Sequence, residues 1–370
     1  MANRSVVVTG ISCWTGLGGL KQSWQNLLQG KSSISLQQPF PPLPPSPLSL
    51  LKEKPSSLPS ITERIVKVAL EDAGLSPPLP DCGVVVGSSR GCQGDIEKWA
   101  QHQSQAINWL EMLPQQATIT AARVVGSTGK VFSPMAACST GIWSIAQGYQ
   151  LIASGECTQV IAGAVETPVT PLTLTGFAKM GALAKTGCYP FDLQREGLVL
   201  GEGGAVFVLE SWESARERKA LIYGEVLGYG LTCDAYHLTS PDPNYRCGSL
   251  AVKQCLEMSQ VSTIDYIHAH GTGTKLNDAR EAALIQALFP ASVPVSSTKG
   301  ATGHTLGASS AIGVALTLMS LQHQILPPCV GLKHSGFDLN LVERAMSSKI
   351  NYALVLSFGF GGQNSAIILQ

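Results

Sequence analysis

Charge is what this 370-residue chain has least of. Asp, Glu, Lys and Arg make up 14% of it, and 25 basic residues are matched by 25 acidic ones. A neutral, sparsely charged chain lacks the basic excess of a nucleic-acid binder or a membrane-surface protein. Long apolar runs are missing too: nothing approaches the roughly 18 consecutive residues a membrane-spanning helix needs. The apolar stretch near the N-terminus, Val6 to Val8, is too short for a signal peptide. The ten cysteines are scattered without a CxxC pair, which argues against a structural zinc site and a disulfide scaffold and fits a reducing, cytoplasmic setting. A strand, glycines and a helix open the chain, but the spacing Gly10, Gly16, Gly18 is not GxGxxG and no acidic residue follows at the ribose-binding distance. A dinucleotide site is therefore not expected.

What the chain does have is 44% hydrophobic residues and 38 glycines, the composition of a compact enzyme with a large core. Short β-branched runs alternate with helix-compatible runs, and the alternation occurs twice. It predicts parallel, doubly covered sheets in two similar layered α/β halves, residues 1–217 and 218–370. A proline-rich stretch, Pro39 to Pro59, reads as a surface connection that is neither helix nor central strand. Ser60-Ile61-Thr62-Glu63 reads as a capping box opening the next helix, and residues 93–125 as two helices broken near Pro114.

The stretch around which the rest is arranged is Phe132-Ser133-Pro134-Met135-Ala136-Ala137-Cys138-Ser139-Thr140-Gly141. Val131 to Met135 reads as a short buried strand and Ile142 to Ser154 as a helix. Cys138 then falls at the helix N-terminus, where unpaired N–H groups favour thiolate over thiol. Taken alone, a buried cysteine is usually inert. Two histidines occupy comparable turns. His270 is followed by Gly271-Thr272-Gly273-Thr274, and His304 lies in Lys299-Gly300-Ala301-Thr302-Gly303-His304. In α/β sheets ligands bind at such turns, at the carboxyl ends of strands, so the three could converge on one pocket. A lone histidine is more often structural than catalytic. The His268–His270 pair has metal-ligand spacing but no third ligand nearby, so no metal is expected. Asp278 and Glu281 lie in a first helical turn, where carboxylates are stabilised in any case.

Taken together, these pieces resemble the β-ketoacyl synthases, the condensing enzymes of fatty acid and polyketide assembly. The matching motifs run from end to end: Val7-Val8-Thr9-Gly10; Ala137 to Gly141; Gly176-Phe177-Ala178-Lys179-Met180; Pro190-Phe191-Asp192; Gly201-Glu202-Gly203; His270 to Thr274 with Asp278 and Glu281; Lys299 to His304; and Ser357-Phe358-Gly359-Phe360-Gly361-Gly362-Gln363-Asn364. The resemblance implies a thiolase-like five-layer α-β-α-β-α fold, a homodimer, and the elongating branch with two histidines. It implies a 3-oxoacyl-[acyl-carrier-protein] synthase that condenses an acyl group on Cys138 with malonyl-carrier protein. No cofactor is implied beyond the phosphopantetheine arm of the acyl carrier protein. Cys138 and Phe360 would supply the oxyanion hole. His270 and His304, both neutral, would hydrogen-bond the enolate oxygen. Lys299, with Glu281 as partner, would hold the histidines electrostatically. Thr272 and Thr274 match pantetheine-binding positions, and Phe358 and Phe360 line the substrate site, with Phe360 gating the acyl pocket. Arg64 and Lys67 are candidates for meeting an acidic carrier. The chain departs from the family pattern in its short 39–59 and 95–130 regions, at Gly313, where a glutamate is usual, and at Cys188, where a basic residue is usual. Two other readings are a catalytically silent chain-length factor paired with a ketosynthase, heterodimeric rather than homodimeric, and a cysteine acyltransferase or thioesterase, which a Cys–His pair alone does not exclude.

Overall fold

The computed structural model describes residues 4–52, 55–101 and 109–370. Most strands join one 12-stranded sheet. Its first half contains β1 (Val6–Thr15), β2 (Gly83–Gly87), β3 (Val131–Phe132), β4 (Gln159–Glu166) and β5 (Gly203–Ser211). Its second half contains β6 (Gly224–Cys233), β7 (Tyr266–His268), β8 (Pro294–Ser296), β9 (Ala353–Gly359) and β10 (Gln363–Leu369). The halves meet where β1 and β6 pair antiparallel, Val6 opposite Val226. Outward from that seam the orders are β1-β5-β4-β2-β3 and β6-β10-β9-β7-β8. In both, the first two pairings are antiparallel and the next two parallel. The expectation of wholly parallel sheets is thus corrected. The alternating pattern describes only the outer strands, because the last strand of each half returns between the first strand and the parallel set.

Alternation along the strands builds the layers. Val85, Val160, Ala162, Phe207 and Leu209 point into a central cluster, while Val84, Val86, Ile161, Val206 and Val208 point the other way. In the second half Val355, Ile367 and Leu369 face the same central cluster, and Leu354, Leu356 and Ile368 the opposite side. Two outer layers cover the outward faces. One comprises helices α1 (Leu58–Asp72) and α2 (Gln116–Val125). The other is formed by α4 (Arg246–Ser259) and α5 (Lys275–Leu288). The shared middle layer is α3 (Thr140–Ala153) and α6 (Ser309–His323). These two helices cross so closely that a Cβ on Gly141 would collide with the Ala311 amide. Helix α6 is buried on every side from Ser309 to Leu321, which is why its residues carry no amphipathic signature.

Three local expectations fail. The run Val131 to Met135 is not a buried strand: β3 is two residues long, lies at the end of the sheet, and leaves Val131, Phe132 and Met135 exposed. The capping box is not used. Helix α1 starts earlier, at Leu58, with Ser57 before it and Pro59 in its first turn, where a missing N–H costs nothing. The proline-rich stretch also contains a central strand. Ser46–Ser49 lies between Ser35–Gln37 and Leu200–Gly201 in a small three-stranded sheet. Pro47 is tolerated because parallel pairing to Leu200 begins only at Leu48. Of residues 93–125, Gln93–Ala100 and Gln116–Val125 are helical, and 102–108 lie outside the described residues.

Candidate active site

Cys138 sits in a 3-10 turn, Ala137–Ser139, between β3 and α3. The turn is reached through Ala137 at φ 46°, a left-handed conformation that costs an alanine on the order of 1–3 kcal/mol. The surroundings hold it there. Thr140 Oγ1 bridges the Ala137 carbonyl and the Ala136 amide, and Ser139 Oγ donates to the Ser357 carbonyl at 3.0 Å. Strand β9 delivers the opposing loop so tightly that a Cβ on Gly359 would lie 3.0 Å from the Cys138 amide nitrogen. The next residue, Phe360, points its backbone N–H at the Cys138 sulfur, and its ring packs on Phe177 at 6.0 Å between centroids.

The two histidines arrive from the second half. His270 follows β7, and His304 follows the short helix Lys299–Thr302. Cys138 Sγ and a ring nitrogen of each histidine lie within 4.8 Å of one another, and the imidazoles meet edge to face at 5.4 Å. The three groups close the inner end of a cleft of about 390 Å³, whose walls include Thr272, Thr274, Phe358 and Phe360. Arg64 and Lys67 do not line this cleft. Arg64 stacks on Trp14 at 3.7 Å and Lys67 pairs with Glu63 at 2.5 Å.

Burial decides the charges here. It pushes the Cys138 thiol up to about 11, against the downward pull of Lys299 and the Phe360 N–H. The expectation that the helix terminus makes a standing thiolate is therefore corrected: desolvation wins, and the sulfur must lose its proton during reaction. His270 and His304 are both held well below 6.5, by burial first and the Lys299 charge second, so both are neutral. Lys299 is itself buried and lowered, with Glu281 as the largest opposing influence. The two do not touch. Lys299 Nζ donates to the His270 carbonyl, while Glu281 accepts the His270 amide at 2.5 Å and the Gly271 amide at 2.7 Å. Cation and carboxylate thus grip the same peptide from opposite ends. Asp278 does the same for the neighbouring turn, accepting from Phe191 at 2.9 Å and Gly273 at 3.2 Å. Thr274 caps helix α5, with its hydroxyl 2.9 Å from that of Thr272.

Four residues outside the expected set also shape the site. Ser357 and Ser309 touch Nδ1 of His270 and His304, at 3.4 and 2.8 Å. Glu166 lies buried beneath the Ser89–Arg90 loop and accepts both amides. His268, neutral and lowered to about 3 by burial, hydrogen-bonds Thr298 at 3.2 Å. Its ring occupies the space beside Gly313, where a Cβ would approach within 2.8 Å. Serines and a strand-borne histidine carry no motif of their own. Only the i, i+2 relation of His268 to His270 placed it on the same face. Cys188 is buried with its sulfur 3.4 Å from the Thr272 carbonyl, which accounts for its packing and not for its choice over a basic residue.

A strained elbow presenting a cysteine to two neutral histidines and a backbone N–H, on paired α/β halves, defines a thiolase-like condensing enzyme. Residues 61–215 match the β-ketoacyl synthase N-terminal domain model and residues 223–333 its C-terminal counterpart. The chain belongs to the β-ketoacyl synthase family, an acyltransferase-type family of condensing enzymes. It is 33% identical over 416 residues to 3-oxoacyl-[acyl-carrier-protein] synthase 2 of Vibrio cholerae, covering 100% of both chains. Among solved structures it is similar to the ishigamide ketosynthase/chain length factor, with a TM-score of 0.91, 28% identity, and 100% and 99% of the two chains covered. It is equally similar, at a TM-score of 0.91, 26% identity and the same coverage, to a type II polyketide synthase ketosynthase in complex with its acyl-carrier protein.

Proposed function

We propose that this protein is a 3-oxoacyl-[acyl-carrier-protein] synthase, joining an acyl group held on Cys138 to a malonyl unit carried by an acyl carrier protein. The observation that carries the reading is the convergence of Cys138, His270 and His304 at the closed end of a cleft walled by Thr272 and Thr274. In the first half-reaction Cys138 attacks the acyl thioester. Its own N–H and that of Phe360 hold the oxyanion, each worth about 3 kcal/mol in the transition state. In the second, the malonyl C–C bond breaks and carbon dioxide leaves. The histidine pair promotes that step with hydrogen bonding to the enolate oxygen, and the enolate carbon displaces the sulfur of Cys138. Lys299 and Glu281 fix the His270 turn and do not exchange protons with substrate. The phosphopantetheine arm runs past Thr272 and Thr274, and Phe360 gates the acyl pocket against Phe177.

The nucleophile belongs to the half spanning residues 1–217 and the histidines to the half spanning 218–370, and no metal or organic cofactor is required. The exposed β3 edge with Phe132 and Met135 suits pairing with a second copy, a homodimer in which each subunit keeps its own cleft. Among the described residues no helix is long and apolar enough to cross a membrane, and the free, scattered cysteines suit a reducing, cytoplasmic setting. The test is release of labelled carbon dioxide from malonyl-carrier protein, with mass analysis of the product. A carrier-bound 3-oxoacyl chain longer by two carbons is expected. Acyl release without decarboxylation would show a hydrolase, and a Cys138→Ala protein that still supports condensation would show a silent partner.

A further inference from the structure

The two catalytic histidines differ in one respect that their shared burial hides: the hydrogen bond each makes at Nδ1. Ser357 Oγ lies 3.0 Å from the Cys138 carbonyl oxygen and 3.4 Å from His270 Nδ1. All three groups are buried. A carbonyl has no proton to give, so the Ser357–Cys138 bond is donated by the serine. A hydroxyl has one proton. With that proton committed, Ser357 can only accept from His270, and the imidazole must carry its hydrogen on Nδ1. Nε2 is then a bare lone pair. At His304 the logic reverses. Ser309 Oγ already accepts the Thr305 amide at 2.9 Å and stands 2.8 Å from His304 Nδ1, nearer than the 3.1 Å to Thr305 Oγ1. Giving its proton to the nearer acceptor, Nδ1, leaves the hydrogen of His304 on Nε2.

We propose that Ser357 is a positioning residue that fixes His270 in the proton-accepting tautomer, so that His270 serves as the base for Cys138 while His304 serves as the hydrogen-bond donor. This deepens the condensing-enzyme reading and rests on it. The proton balance is closed. As the Cys138 sulfur bonds to the acyl carbon, its proton moves to His270 Nε2; as the old thioester C–S bond breaks, that proton passes to the departing pantetheine thiol. In the second half-reaction His304 Nε2–H donates to the malonyl carbonyl oxygen while the C–C bond breaks and its electron pair enters the enolate. The enolate then displaces Cys138, whose thiolate regains one proton from solvent through His270. The elevated thiol of Cys138 makes such a base necessary. The same serine ties the base to the nucleophile: Ser357 bridges the Cys138 carbonyl to the imidazole that takes its proton, so the two cannot drift apart independently.

The experiment uses the full chain with ¹⁵N-histidine labelling, acyl-carrier protein and malonyl-carrier protein. Long-range ¹H–¹⁵N spectra of the wild type should show His270 as the Nδ1–H tautomer and His304 as Nε2–H. In Ser357→Ala, His270 should revert to Nε2–H, and loading of Cys138, read by intact mass, should slow at least tenfold. Decarboxylation by enzyme loaded beforehand should stay within about twofold. Ser357→Thr keeps the hydroxyl and should restore loading. Ser309→Ala should show the opposite split, with slow carbon dioxide release and near-normal loading. An Nε2–H signal for His270 in the wild type overturns the proposal, as does an equal slowing of both half-reactions in Ser357→Ala. The wild-type spectrum decides even if that variant does not fold. A wild type that shows the expected tautomers but releases no carbon dioxide would instead overturn the condensing-enzyme reading, and with it the assignment of roles.

Discussion

The two halves of the molecule make the same elbow and fill it differently. In the first, the chain passes through Ala137 at φ 46° into a 3-10 turn and then α3; in the second it passes through Leu306 at φ 45° into a 3-10 turn, Leu306–Ala308, and then α6. The residue after the strained one is Cys138 in the first and Gly307 in the second. At Gly307 a Cβ would lie 2.8 Å from Glu166 Oε1 and 3.0 Å from Ser89 Cβ. The second elbow is therefore plugged by the first half's own loop, whereas the first opens onto the cleft. The second half's contribution has moved just upstream, to His304. One scaffold thus presents a cysteine at its open elbow and, just before its filled one, a histidine facing the same cleft.

Breaking the open elbow should cost most. Cys138→Ala removes the sulfur proposed to hold the acyl group, and turnover should fall by at least about a thousandfold, with no acyl mass shift on the protein. His304→Ala removes the proposed hydrogen-bond donor beside the filled elbow. Carbon dioxide release should drop about 10²- to 10³-fold, with Cys138 loading much less affected; equal loss in both would show that the halves do not divide the work. Gly307→Ala tests the plug itself. The added methyl has no room, and a loss of about 1–3 kcal/mol is expected, read as a lower denaturant midpoint together with poorer activity. An unchanged protein would mean the two elbows are not distinguished by packing.

The remaining effect is on pH. His268 ionises at about 3 in the fold against 6.5 for a free histidine, and His270 and His304 are depressed likewise. Their neutral forms therefore contribute stability that is complete above pH 6.5 and lost as pH falls below it, at about 1.4 kcal/mol per histidine per pH unit. His268→Asn should flatten the decline in stability between pH 6 and 4.5 by one histidine's share. A slope unchanged from wild type would place His268 in contact with water.

Much of this was legible from residue order. Cys138, both histidines, Lys299 and the Phe360 loop could be singled out because each lies in a glycine-rich turn long enough to be distinctive, and the structure brings them together. The layering of two α/β halves followed from element order, and the resemblance supplied the fold's name. What could not be read is what depends on neighbours distant in sequence. The antiparallel return strands, β5 and β10, look no different from parallel ones in an alternating pattern. The exposed β3 looks buried because Val131 and Phe132 are apolar wherever they sit. The Cys138 thiol looks activated because a helix terminus is visible in sequence while the desolvation surrounding it is not. The serine behind the His270 imidazole was invisible for the same reason: Ser357 lies 87 residues beyond His270.

The position of β3 has one more consequence. Its outer edge is unpaired among the described residues, and the same stretch of backbone runs directly on from Phe132 to the strained turn at Ala137. A strand that seats there binds the folded protein and not the unfolded one, so it acts as a ligand under mass action. It also stiffens the approach to the elbow. The rate per subunit should then depend on protein concentration, and dilution alone should slow a reaction whose cleft it leaves untouched.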